Sequence, residues 1–384
     1  MSQMSGDAVG VAMVGHSFMG AVHSHAWRNV HRFFDVPRPP RLTVLGGRDE
    51  RRTKEAAERY GWESVETDWR AIISRDDVDV VDICTPGHTH CEIAVAALAA
   101  GKHVLCEKPL ANSVAEAEVM AEAAAKAARE GVHSMVAFNY RRVPALALAR
   151  RLIAEGRLGT LRHVRAVYLQ DWLSDAESPM TWRLRKEQAG SGALGDIGAH
   201  IVDATQFVTG DVLTGVTGLT ETFVGERPAD GGTEKVTVDD CALFVGRFSS
   251  GAVASFEATR YALGRKNAMR LEINGSRGSL SFDFESMNEL WFCDGDDPSD
   301  TQGFRRIVVT EQDHPYVGAW WPPGHLLGYE HTFTHEVADF LTAIGTGEPA
   351  SPSFADGLRV QQVLGAVEQS AAAGSQWSEV LPGA

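Results

Sequence analysis

Between Ala8 and Asn139 short apolar runs alternate with helical periods, and few folds accept that order. The expected strands are Ala8–Val14, Arg41–Leu45, Val78–Cys84, His103–Cys106 and Val132–Phe138. Between them lie expected helices to about Val30, at Asp49–Tyr60, at Glu92–Ala100 and at Ser113–Arg129. Short, fully apolar strands joined by helical crossovers mean a parallel sheet covered on both faces. Right-handed crossovers then make a doubly wound, Rossmann-type domain, assigned to residues 1–139.

After Tyr140 the texture changes. Expected helices at Pro144–Glu155 and Gly190–Gly210 flank a strand ending near Trp172. Strands follow at Val216–Phe223, Ala242–Phe248, Val253–Thr259, Met269–Ile273, Ser279–Phe284 and Arg306–Val309, then helices at Tyr329–Ile344 and Asp356–Ala373. Strand after strand with tight turns implies an antiparallel sheet. Residues 140–384 are therefore expected to form an α+β substrate-binding domain with a large open, mostly antiparallel sheet. The polar stretches Gly225–Lys235 and Asp294–Gly303 are expected to be mobile loops.

Two domains suit 384 residues, 44% of them hydrophobic. Acids outnumber bases 51 to 36, for a formal charge of -15, which argues against nucleic acid and against an anionic membrane surface. No apolar run reaches the ~20 residues of a membrane span. Five cysteines without a C-x-x-C pair, and a polar Met1–Asp7 without an export signal, point to a reducing cytoplasm.

The first strand runs into Gly15-His16-Ser17-Phe18-Met19-Gly20. The spacing is that of the dinucleotide turn, with Ser17 where the middle glycine stands. The helix start then offers N–H groups to a pyrophosphate. At the end of the second strand an NAD site usually carries an acidic residue for the ribose 2′-OH. Here Gly47 and Arg48 stand instead, leaving room and a guanidinium for a 2′-phosphate, so the reading leans to NADP over NAD. In the alternative, Arg48 stacks on adenine or faces solvent.

Thr85-Pro86-Gly87-His88-Thr89-His90 and Glu107-Lys108-Pro109 both follow strands, at the carboxyl edge where such sheets bind ligands. Downstream, Asp196 and His200 lie one helical turn apart, with Asp203 a turn beyond. An Asp/His pair alone fits a solvated helix face, and a metal site lacks an obvious third ligand, so no metal is expected. Gly190, Gly192, Gly195 and Gly198 cost helix stability, which a cofactor or sugar against the backbone would explain. His325, His331 and His335 read as structural.

Together, the Gly15–Gly20 turn, Pro86 to His90, Glu107-Lys108-Pro109-Leu110 and the Gly190–His200 run resemble the glucose–fructose oxidoreductase/inositol dehydrogenase (Gfo/Idh/MocA) family. The likeness extends to Pro352–Gly357. Within the family, Phe138–Arg142, Tyr168–Trp172 and Thr181-Trp182-Arg183 look most like the levoglucosan dehydrogenases. The resemblance implies Lys108, Asp196 and His200 as the catalytic group. It implies Thr85, Pro86, His88, His90, Glu107, Lys108, Asn139, Trp182 and Arg183 as cofactor contacts beside Gly15, Ser17, Phe18, Met19, Gly20, Gly47 and Arg48. Tyr140, Gln170, Asp171, Trp172 and Arg183, with Lys108, Asp196 and His200, would meet the sugar.

The implied activity is hydride transfer between a sugar or cyclitol ring CH–OH and nicotinamide C4, in a homodimer or homotetramer associating through the large sheet. His200 would move the proton and Lys108 hold the reacting oxygen, or the two would exchange roles. Three other readings stay open: an NAD-dependent glycosidase, a nucleotide-sensing regulator without turnover, and an exported aldose–aldose oxidoreductase.

Overall fold

A computed structural model describes residues 8–380. The expectation about Met1–Asp7 lies outside the described residues. The chain divides into two compact units. The first runs to Asn139 and also takes in Gly328–Leu358; the second holds Tyr140–Leu327 and the residues from Arg359 on. The division expected at 139/140 thus omits a returning segment.

In the first unit, β1 (Val9–Val14), β2 (Pro40–Gly46), β3 (Ser64–Glu66), β4 (Val80–Ile83), β5 (His103–Cys106) and β6 (Ser134–Val136) form one sheet in the order β3-β2-β1-β4-β5-β6. Every neighbouring pair is parallel. This is the doubly wound order, and it reverses between β1 and β4, where the ligand crevice of such sheets lies. All six residues of β1 are buried, as a strand covered on both faces must be.

Helices α1 (Phe18–Phe33), α2 (Glu50–Tyr60), α3 (Trp69–Ile73), α4 (His90–Ala99) and α5 (Val114–Ala128) are the crossovers. Local chemistry sets their ends. Asp49 accepts the Arg52 N–H at the start of α2, and Ser113 accepts that of Glu116 at the start of α5. β3 and α3 were not expected: Ser64–Glu66 carries no apolar run, and tertiary pairing with β2 makes it a strand.

The second unit begins with α6 (Pro144–Ala154), β7 (Leu161–Leu169), α7 (Lys186–Ala189) and α8 (Ala199–Thr209). Then come β8 (Leu213–Glu221), β9 (Glu226–Ala229), β10 (Gly232–Lys235), β11 (Cys241–Phe248), β12 (Val253–Thr259), β13 (Ala268–Gly275), β14 (Gly278–Asp283), β15 (Glu289–Asp294), β16 (Arg305–Val308) and β17 (Ser378–Glu379). Among the described residues nine strands form one open sheet, ordered β16-β15-β14-β13-β7-β12-β11-β8-β17. β7 and β12 pair in parallel; the other neighbours are antiparallel. α6 and α8 pack on this sheet.

The stretch Gly225–Lys235 is no mobile loop: β9 and β10 form a hairpin. Arg227, fully buried, pins it by donating to the carbonyls of Leu173, Asp175 and Ser178 and to the Tyr261 hydroxyl. The second half of the expected Gly190–Gly210 helix is α8, and its first part holds a π-helical turn at Leu194–Gly198.

Returning to the first unit, α9 (Tyr329–Thr346) packs on α1. Phe333, Phe340 and Leu341 join Trp27, Val30 and Leu45 in its core. Each such side chain contributes roughly 1.5–3 kcal/mol by leaving water. α10 (Phe354–Ala372) follows. No helix among the described residues is long and apolar enough to cross a membrane. All five cysteines are free.

Candidate active site

Each unit carries part of the expected site. In the first, the turn after β1 reverses direction at Gly15, whose φ of +105° suits glycine. A Cβ there would stand 2.6 Å from the Cys84 carbonyl oxygen. Ser17 caps α1 without a side-chain hydrogen bond, and the helix has no acid in its first turn. Its leading N–H groups are therefore left to an anion, and the site fits a dinucleotide pyrophosphate. Phe18 is exposed and stacks at 6.3 Å on Tyr329, while Met19 packs on the core.

At the end of β2 the structure corrects the reading of Gly47. A side chain there would meet Thr53 Oγ1 at 2.4 Å and the His16 ring at 2.6 Å. His16 Nε2 lies 3.2 Å from that same Thr53 hydroxyl. The space beside Gly47 is thus filled by the protein rather than left for a phosphate. Arg48 is exposed.

At the carboxyl edge of β4 and β5, Thr85, Pro86 and Lys108 are half-buried and His88 is exposed. His90 is buried. Its Nε2 faces the Thr85 carbonyl at 2.8 Å, and its Nδ1 faces those of Pro109 and Leu110 at 3.1 and 3.3 Å. It ties the two loops together rather than presenting itself to a ligand. Burial lowers its pKa, with the carbonyls pulling the other way. Glu107 and Asn139 are buried too: Glu107 Oε2 accepts the Lys108 N–H at 3.1 Å, and Asn139 donates to Thr332 Oγ1 at 2.9 Å. The Lys108–Pro109 peptide is cis.

Beneath Lys108 lies a group the sequence reading missed. His23, Asp82 and Cys84 offer atoms within 4.8 Å of one another. They form a hydrogen-bonded network. The two His23 nitrogens face Asp82 and Glu107, and burial pushes the Cys84 thiol up, keeping it protonated.

In the second unit, Asp196 sits in the π-helical turn and His200 in the first turn of α8. Asp239 shapes this turn. Its carboxylate accepts the N–H groups of Gly192 at 2.6 Å and Leu194 at 2.8 Å, and a Cβ on residue 192 would stand 1.7 Å from its carbonyl oxygen. Close backbone packing, not a bound ligand, accounts for Gly192. Burial raises the Asp239 pKa against those two donors. Arg260, fully buried, donates to the Asp239 carbonyl at 3.1 Å, and its Nη1 lies 3.8 Å from the Asp196 carboxylate.

His200 is buried, with the Tyr140 ring at 4.5 Å and that of Tyr168 at 6.0 Å. From these rings a polar chain runs outward. The Tyr140 and Tyr168 hydroxyls meet at 2.6 Å, and Asn267 Oδ1 accepts from Tyr168 at 2.7 Å and Gln170 at 2.8 Å. Gln170 in turn accepts from the exposed Trp172 at 2.9 Å. The structure therefore links Tyr140, Gln170 and Trp172 through Tyr168 and Asn267, with the His200 ring against Tyr140; sequence reasoning did not single out Asn267.

Other expected residues sit elsewhere. Asp171 is bound to Lys266 at 2.7 Å and to the Gly264 N–H at 3.0 Å; the lysine contact holds its carboxyl below the usual range. Asp203 is buried and bidentate on Arg141. Trp182 and Arg183 are half-buried and pack together at 4.4 Å. His331 accepts the Gly328 N–H at 3.0 Å, and His335 packs on Phe34 at 5.7 Å.

Residues 9–135 match the oxidoreductase family with NAD-binding Rossmann fold, and residues 146–281 match the GFO/IDH/MocA C-terminal domain. The chain belongs to the Gfo/Idh/MocA oxidoreductase family. Within it, levoglucosan dehydrogenase of Pseudarthrobacter phenanthrenivorans is 42% identical over 386 residues, covering 96% of this chain and 97% of that one. An oxidoreductase domain protein from Kribbella flavida is 62% identical, with a TM-score of 0.96 over 98% of this chain and 100% of that one. A levoglucosan dehydrogenase structure in complex with NADH and levoglucosan is 42% identical, with a TM-score of 0.94 over 98% and 100% of the two chains. That relative holds NADH, and nothing in it supports the NADP preference read from Gly47 and Arg48.

Proposed function

We propose that this family member catalyses reversible hydride transfer between a ring CH–OH of a sugar or cyclitol and nicotinamide C4, with an anhydrosugar such as levoglucosan, or a glycoside, as substrate. The observation that carries this reading is the buried His200 ring held against Tyr140 at 4.5 Å, at the head of the polar chain to Trp172. The levoglucosan-bound relative supports the substrate class.

The bound nicotinamide supplies the hydride acceptor. His200 takes the proton from the alcohol and returns it to the ketone, as an imidazole can in either direction. Asp196 accepts a hydrogen bond from an adjacent hydroxyl. Lys108 holds the reacting oxygen and stabilises its developing charge. Trp172 offers an aromatic face to sugar C–H bonds, and Gln170 and Arg183 offer donors. NAD is the favoured cofactor, because His16 and Thr53 fill the space beside Gly47. The expected homo-oligomer forms through the open sheet face. Leu219, Leu243, Val245 and Val253 are exposed there beside a groove of about 420 Å³.

The test is a screen of NAD⁺ and NADP⁺ against levoglucosan, glucose, inositols and glycosides, followed at the reduced-nicotinamide band. Lys108→Met and His200→Ala are each expected to lower turnover by about 10²-fold or more. Near-normal turnover by both refutes the assignment. Free sugar released without net cofactor reduction indicates the glycosidase reading instead.

A further inference from the structure

Three elements of the first unit meet at one side chain. His23 lies on α1, the helix whose start faces the expected pyrophosphate. Asp82 lies on β4, and Glu107 directly follows β5. All three are buried: 1%, 0% and 4% exposed.

His23 Nδ1 is 3.0 and 2.9 Å from the two Asp82 oxygens, and Nε2 is 3.0 Å from Glu107 Oε1. Asp82 also accepts from Trp27 Nε1 at 2.7 Å and from the Cys84 thiol at 3.5 Å. The other Glu107 oxygen accepts the Lys108 N–H at 3.1 Å. Phe333 of α9 closes over the imidazole at 5.3 Å.

A neutral imidazole has one N–H and cannot donate to acids on both sides; an imidazolium can. Two carboxylates buried this close need a charge between them. Burial works against the charged ring, but Asp82 and the Cys84 contact override it, holding the His23 pKa well above its ordinary value. Neither the neighbouring thiols nor His90 supplies that charge. Burial keeps the Cys84 and Cys106 thiols protonated and lowers the pKa of His90.

A core histidine that merely fills space has no need of acids on both nitrogens, nor of a network that ends on the amide of a proposed reacting residue. We infer that His23 is a positioning residue: clamped between Asp82 and Glu107, it fixes Glu107, and through it the backbone from which Lys108 reaches substrate. One ring thereby couples the phosphate-facing helix to the lysine's strand end. This rests on the role proposed above for Lys108.

The test uses the full chain. In ¹⁵N-histidine spectra of the wild type, both His23 ring nitrogens are expected to carry protons at pH 7, and in Asp82→Asn the second proton is expected to be lost at a lower pH than in the wild type. A ring with a single proton at pH 7 in the wild type overturns the inference without any variant. Kinetically, His23→Gln and Glu107→Gln are each expected to lower kcat at least tenfold per NADH-binding site. Cofactor affinity should stay within about threefold, and the double variant should be no worse than the weaker single. Multiplying losses, or an unchanged kcat per binding site with only a lower melting temperature, would reduce His23 to a structural residue. Trp27→Phe, which removes one donor to Asp82, serves if the histidine variant does not fold; it is expected to lower kcat severalfold, and an unchanged kcat counts against the inference. If the wild type oxidises no sugar with either nucleotide, the functional proposal fails on its own, while the nitrogen spectra still decide the state of the clamp.

Discussion

Removing the carboxylate of Asp203 should destabilise the second unit through a mechanism that a second substitution repairs. Arg141 Nε is 3.0 and 2.8 Å from the two Asp203 oxygens, and its Nη2 is 2.5 Å from Oδ1. The side chains are 10% and 3% exposed. Asp203→Ala leaves a guanidinium buried without its counter-charge, at a cost of about 3–5 kcal/mol. At about 2–4 °C per kcal/mol for a unit of this size, the melting temperature should fall by roughly 6–20 °C. Replacing both partners by apolar residues of similar volume, Arg141→Met with Asp203→Leu, should return stability to within about 1–2 kcal/mol of wild type. Urea unfolding with a probe confined to the second unit measures all three proteins. A loss below about 1 kcal/mol in Asp203→Ala refutes the reasoning, as does a double variant less stable than both singles. Arg141 follows Tyr140, whose ring touches His200, so the singles should also lose turnover.

Three further outcomes follow from other parts of the molecule. Burial, and then His133, depress the His103 pKa to about 4, and its Nδ1 accepts the His133 N–H. The folded state therefore favours the neutral ring. Its stabilisation is fully present above the unfolded value of about 6.5 and is lost as pH falls toward 4; His103→Asn should flatten that limb of a melting-temperature profile, and an unchanged slope counts against it. Gly192→Ala forces a methyl into the Asp239 carbonyl and should cost about 2 kcal/mol or more, with a matching loss of kcat because Asp196 rides on the same turn; a neutral urea midpoint would contradict the close packing. Arg48→Ala should change kcat/KM with NAD⁺ and with NADP⁺ by less than threefold each, since Arg48 is exposed and His16 and Thr53 fill the space beside Gly47; a loss of tenfold or more confined to NADP⁺ would mean that Arg48 reads the 2′ position after all.

Much of this was legible in the sequence because its signals are local. The apolar runs of β1, β4 and β5 and the turn from Gly15 to Gly20 announce a doubly wound sheet without any long-range knowledge. The assignment of Lys108, Asp196 and His200 rests on motif resemblance. What escaped depends on partners far apart in the chain. Asp82 lies within the apolar run Val78–Cys84, but its partners His23 and Trp27 lie more than fifty residues earlier. The Gly225–Lys235 hairpin reads as loop because its order comes from one buried arginine, Arg227, whose carbonyl acceptors lie some fifty residues upstream. The glycines before Asp196 were read as making room for a ligand. At Gly192 the occupant is the Asp239 backbone, a cause that no window around residue 192 contains.

The return of Gly328–Leu358 has a consequence for synthesis. When Asn139 leaves the ribosome, the nascent nucleotide-binding portion still lacks α9. Trp27 and Val30 then have no Phe333 or Phe340 to pack against. Nearly two hundred further residues must be translated before that hydrophobic seam can shut. Until then the emerging polypeptide presents an unfinished apolar surface of the kind chaperones recognise.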